Sequence, residues 1–149
     1  MESETGIQIR VEQVNSIEIH VEGMREELAK RAYEKYLERG RVPGGELDDW
    51  LFAEQEMFLK ANVLEPRIEN NQIVVEIVLQ DVEPQNLSVY VAPHEMLLLG
   101  SSADRKRRIF EIVSFQREIL PEQTEAEYVL DTLFVIASIR SDREAYQAA

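Results

Sequence analysis

Two different spacings of apolar residues divide this chain of 149 residues. Over residues 21–39 the positions Val21, Met24, Leu28, Ala32 and Tyr36 step by three or four, with Ala29, Tyr33 and Leu37 widening the stripe. That spacing predicts a helix with one apolar face. Gly40 ends it where a left-handed residue is favoured, and "RVPGGE" continues the break. A second helix is expected to start with Asp48 or a near neighbour as its cap, its acidic first turn suiting the helix dipole. Its buried stripe should run through Trp50, Leu51, Met57, Phe58 and Ala61. Two helices joined by a short Gly/Pro loop make a hairpin over residues 21–64, too small to enclose a core and in need of a surface to pack on.

After "EPRIENN" the period changes to two. Runs at 73–79, 87–91, 96–100, 109–120, 126–130 and 133–139 read as strands. Asn70-Asn71, residues 81–85, residues 101–104 and Asp131-Thr132 supply turns between them. Within 81–100, Leu87, Val89 and Val91 precede the turn Pro93-His94-Glu95, and Met96, Leu98 and Gly100 follow it, which is a β-hairpin pattern. No helical pattern interrupts these runs, so an antiparallel β-sandwich of the immunoglobulin-like kind is predicted over 65–140. The opening "GIQIRVEQVNSIEIHV" alternates weakly, and residues 1–20 read as an extra strand or a mobile arm. Residues 141–149 form a short tail.

Several strands are apolar on both faces. If Val75, Ile77 and Leu79 point inward, Val74 and Val78 point outward; Leu97 and Leu99 likewise oppose Met96 and Leu98, and Phe134 and Ile136 oppose Leu133 and Val135. A sandwich with wetted outer faces carries polar residues there. One outer face is therefore expected to lie under the helical hairpin, and another to serve contact with a subunit or client; the alternative is that these residues are core within the chain.

Charge and composition narrow the chemistry. The formal net charge is −13, with an excess of six carboxylates in residues 1–64 and seven in 65–149. A nucleic acid is not an expected partner, since binding one needs basic surface. No apolar run approaches the ~20 residues of a membrane-spanning helix. The start "MESETGIQIR" has no export signal, so the compartment is most simply cytoplasmic. The absence of cysteine removes disulfides and thiolate chemistry. His20 and His94 are the only histidines, without the spacing of a metal site. Glu26-Glu27 and Asp48-Asp49 read as solvated charges or caps, Ser114 has no histidine partner in any motif, and no Gly-rich phosphate loop is present. No catalytic residue, cofactor or metal is therefore expected, and the chain does not read as an enzyme.

The order of motifs over residues 67–140 resembles the α-crystallin domain of small heat-shock proteins. "IVVEIVLQDVEPQNLSVYV" is similar to that family's strand, turn and following strand, and "MLLLG" to its next strand and closing glycine. "RKRRIFEIVSFQREILPE" resembles its basic loop, Phe-x-Arg and Leu-Pro, and "AEYVLDTLFV" its alanine-to-Gly-Val-Leu signature. The resemblance implies an ATP-independent chaperone that holds exposed apolar segments of unfolding client proteins. It points to a groove bordered by Val89, Val91, Tyr128 and Leu130, and to subunit contacts through Arg107, Arg108, Phe115 and Arg117. Three departures stand out. Asp131 replaces the glycine, at a position where Asp tolerates a left-handed backbone better than most residues. About five residues are missing between Leu120 and Ala126, and Phe115 and Arg117 lie one residue closer to Pro121. The tail "SDREAYQAA" has no Ile-x-Ile, the motif that builds large assemblies in the family. A homodimer or small homo-oligomer is the expectation. The basic run at 105–108 has two readings: contact with acidic groups of a partner subunit, or a solvated loop. Upstream, "RAYEKYLERGRVPGGELDDWLFAE" resembles a short bacterial helical module of unknown function. A dimerising scaffold or interaction module without holding activity is the alternative to the chaperone.

Overall fold

A computed structural model describes residues 6–141. The start of the expected arm and residues 142–149 of the tail lie outside them. Two helices and ten strands follow in the order β1 (Ile7–Gln8), β2 (Arg10–Gln13), α1 (Glu18–Glu38), α2 (Glu46–Met57), β3 (Asn62–Val63), β4 (Arg67–Glu69), β5 (Gln72–Val78), β6 (Ser88–Ala92), β7 (Glu95–Ser101), β8 (Arg108–Ser114), β9 (Ile119–Val129) and β10 (Thr132–Ile139). One sheet has the order β1-β9-β10-β5-β3, with β4 also on β5; the other has the order β2-β6-β7-β8. They face each other as a β-sandwich, antiparallel throughout except where β2 lies parallel to β6.

Alternation sets the core. Ile73, Val75 and Ile77 from β5 meet Leu133, Val135 and Ala137 from β10, and across the sandwich Val89, Val91, Met96 and Leu98 fill the other side. The β6–β7 hairpin turns through Pro93-His94, between the paired Ala92 and Glu95. Gly100, one residue before the end of β7, must be small because a Cβ there would lie 2.6 Å from Leu87 Cδ2. Asn70 and Asn71 both adopt positive φ, as a two-residue hairpin turn requires.

Four sequence expectations change. The run at 109–120 is two elements: the chain turns over residues 115–118, and Ile119 starts the eleven-residue β9. Pro121, which has no N–H to give a ladder, falls where the β9–β10 register shifts between Ala137 and Ile139. At the β9–β10 turn the left-handed residue is Leu130 (φ 56°), not Asp131. Neither Asp48 nor a neighbour caps α2; Gly45 stands at its N-cap with φ 79° and no side-chain bond. The buried residues of α2 are Asp49 and Ala53, while Leu51 is 46% exposed. That stripe was misplaced because a carboxylate, Asp49, occupies the side turned to α1: Arg39 donates to its two oxygens at 2.8 and 2.9 Å.

The helices lie over the outer face of the β2-β6-β7-β8 sheet. His20 packs on Tyr90 with ring centroids 4.5 Å apart and the planes tilted by 38°, and Arg108 pairs with Glu27 at 2.9 Å. Leu97 on that face is fully buried and Leu99 half-buried. On the opposite sheet Val74 is buried, while Val78, Phe134 and Ile136 are half-buried.

Candidate functional site: the seam between β6 and β9

A two-sheet sandwich has two lateral seams where the edge strands face each other. In this protein both are closed by the segments that flank the helical hairpin. On one side, residues 58–63 cross from sheet to sheet: Phe58 bridges Arg108 of β8, Leu59 donates its N–H to the Arg108 carbonyl at 2.9 Å, and Asn62 and Val63 pair with Val78 and Ile77 of β5. On the other side, residues 7–13 do the same between β9 and β6.

This second crossing is built from alternation in "GIQIRV". Ile7 and Gln8 pair with Tyr128 and Glu127 of β9, and the Ile9 N–H donates to the Ala126 carbonyl at 2.9 Å. The chain then changes partner. Arg10, Val11, Glu12 and Gln13 run parallel to Ser88, Val89, Tyr90 and Val91, and the Val14 N–H donates to the Val91 carbonyl at 2.9 Å. Ile9, at the change-over, enters the core and is 6% exposed; Val11 packs partly buried beside it, while Ile7 remains 45% exposed. Gly6 lets the strand approach β9 closely, since a Cβ there would collide with the side chains of Glu127 and Val129. Arg10 and Glu12 pair along the strap's own edge.

The candidate groove residues divide accordingly. Val89 and Val91 form the floor on β6 and are fully buried. Tyr128 stands on β9, where its hydroxyl donates to the buried Leu79 carbonyl at 2.6 Å; burial holds the phenol above its ordinary pKa. Leu130 does not line the seam. It sits in the turn beyond β9, 73% exposed, because its positive φ turns it off the strand. The residues that occupy the seam, Ile9 and Val11, were not singled out from the sequence, although their alternation was visible in it.

The candidate subunit contacts are scattered. Phe115 is a core residue, 7% exposed. Arg117 is exposed in the β8–β9 turn and Arg107 is exposed at the end of the basic loop. Arg108 is engaged with Glu27 of the same chain, and Arg105 with Glu83 at 2.8 Å. The loop itself is folded on Ser102, whose N–H donates to the Arg107 carbonyl at 2.9 Å and whose hydroxyl donates to Asp104 at 2.6 Å. The loop is thus held by bonds within its own hairpin, with Arg107 exposed at its end. Among the described residues no group of three or more His, Cys, Asp or Glu is placed to hold a metal ion, and no helix is long and apolar enough to cross a membrane.

Residues 24–57 match a family described as "Protein of unknown function (DUF2934)". No curated protein matches the chain. Among solved structures, it is similar to a deletion mutant of hsp14.1 from Sulfolobus solfatataricus P2, at 15% identity over 58% of this chain and 80% of that one, with a TM-score of 0.49. It is also similar to heat shock protein 16.0 from Schizosaccharomyces pombe, at 11% identity over 69% of this chain and 90% of that one, with a TM-score of 0.48.

Proposed function

We propose that this protein is an ATP-independent chaperone of the small heat-shock type, which holds extended apolar segments of unfolding proteins in the seam between β6 and β9. The observation that carries this reading is the seam's present occupant. A strand of alternating aliphatic residues bridges two sheet edges there, held by six ladder pairs and one deeply buried side chain. What fits the site is therefore an extended peptide, whose backbone meets the two edges while every second side chain enters the core. Burying one isoleucine contributes roughly 1.5–3 kcal/mol. An attachment of that size opens in a small but kinetically useful fraction of molecules. A client segment of the same pattern then takes the place of residues 7–13, and the acidic surface keeps the complex dispersed.

The test is light scattering of a heat-labile client without ATP, comparing the native chain with Ile9→Asp and Val89→Asp. Suppression near stoichiometric ratios, stronger in Ile9→Asp and lost in Val89→Asp, is expected. A well-folded preparation that suppresses nothing, with or without Ile9, sinks the reading.

One observation favours a second reading. Both seams are closed by the chain's own segments, which suits a scaffold or interaction module with no holding activity. In that case the Ile9→Asp variant is destabilised and gains no suppression.

A further inference from the structure

A separate cleft of about 840 Å³ lies between the helical hairpin and β8. Its volume is in the range of small-molecule sites, roughly 300–1,000 Å³. Three elements supply its apolar wall: Met24 and Leu28 from α1, Trp50 and Phe58 from α2 and its end, and Phe110 from β8.

Three cations, Arg25, Lys60 and Arg107, line the same cleft. Eight of the fifteen described Lys and Arg side chains form an ion pair. Arg31, Lys35, Arg39, Arg105 and Arg108 are among them. Among the described residues Arg25, Lys60 and Arg107 form no direct ion pair, with Lys60 in the field of Glu111 and Arg107 in that of Asp104. Two carboxylates also reach the lining, Glu54 and Glu111. Glu111 is turned towards the linker, where it accepts the Ala61 N–H at 3.5 Å, and burial holds it above its ordinary pKa.

We propose that this cleft binds a single-chain amphiphilic anion, an unesterified long-chain carboxylate, with its alkyl chain against the aromatic wall and its head group among Arg25, Lys60 and Arg107. A peptide fits less well. The Arg108 carbonyl of β8 is already taken by Leu59, which leaves an incoming strand only the stretch of β8 beyond it. A ligand held by apolar contact and charge needs no such partner.

Trp50 is the chain's one tryptophan and stands in the cleft wall, so its emission reports on occupancy. The experiment titrates the full chain with sodium dodecanoate below its micellar concentration, reading Trp50 emission and heat. Dodecan-1-ol and phosphatidylglycerol vesicles are titrated in parallel. Saturable binding of dodecanoate at one site is expected, weakened about tenfold by the exposed double change Arg25→Gln/Arg107→Gln, as for loss of charge contacts worth one decade in Kd. The alcohol should bind weakly and be indifferent to the double change, and the vesicles should not bind. Three results overturn the proposal: no saturable binding, affinity equal for acid and alcohol, or binding to vesicles alone. The seam plays no part in it, so Ile9→Asp should leave dodecanoate binding unchanged.

Discussion

Single residues carry the sharpest tests. The Tyr128 hydroxyl donates to the Leu79 carbonyl across the end of the core. Tyr128→Phe removes the donor and leaves a buried acceptor, which should lower stability by about 1 kcal/mol in urea unfolding with the slope unchanged. Asp49 tests the helical hairpin. Its side chain is 7% exposed, and the hydrogen bonds from Arg39, with the charge beside them, hold the carboxyl below its ordinary value of 3.8. A depressed folded pKa adds stability that is present above the ordinary value and lost as pH falls below it. Trp50 emission, read during acid titration from about pH 5 downward, should report loosening of the hairpin below that value. Asp49→Asn should remove this acid-dependent step and lower stability at neutral pH. Glu111 acts with the opposite sign: burial raises its pKa, so its ionisation opposes folding as pH rises through the range above 4.5. At this scale the sequence was least legible. A left-handed backbone at Leu130 and a buried Asp49 are fixed by hairpin register and by a partner ten positions away, and neither is a property of the residue itself.

Elements were more legible, and for a simple reason. Periods of 3.6 and 2 are statements about which side of a backbone is dry, and nine of the core positions from Ile73 to Val135 follow strict alternation on β5, β6, β7 and β10. What periodicity could not supply was the partner. The "GIQIRV" alternation marked a strand, but its two partners are distant, and nothing local announces that one of them is met in parallel. The misplaced stripe on α2 has the same origin, since α1 offers that helix Arg31, Lys35 and Arg39 as well as apolar side chains. The strap makes a clear prediction as an element. Amide exchange at Ile9, bonded to the Ala126 carbonyl, should be far faster than at the core positions of β10, because it opens without unfolding the sandwich. Equal protection at Ile9 and Val135 would make the strap an integral part of the core and deprive the seam of an entry route.

For the whole molecule the question is how many copies assemble. β8 is the last strand of its sheet, and among the described residues its outer side is bridged only at Arg108. Beyond that point Ile112 is 44% exposed, while the Glu111 carboxylate is turned to the linker at Ala61. A charge on an edge strand blunts it against unlimited pairing. The proposed homodimer would use this short open stretch, which suits a small assembly. Sedimentation velocity should then show a dimer for the native chain and a monomer for Ile112→Lys. A native chain that sediments as a monomer at every concentration would remove the dimer. The half-buried Phe134, Ile136 and Val78 on the other sheet are the remaining surface on which subunit or client contact is proposed.

The strap also imposes an order of events during synthesis. Residues 7–13 leave the ribosome well before their partners, Ser88 to Val91 and Ala126 to Tyr128, which follow 75 residues or more later in the sequence. The helical hairpin is complete before the sheet it covers exists, and the strap waits unpaired until β9 has emerged. Contacts so far apart in sequence close late, because a long stretch of chain must first be ordered between them. Every newly made copy therefore passes through an interval in which its seam is open and its own first strand is a free extended peptide. In a cell making many copies at once, that interval is when the strand of one chain is best placed to close the seam of another.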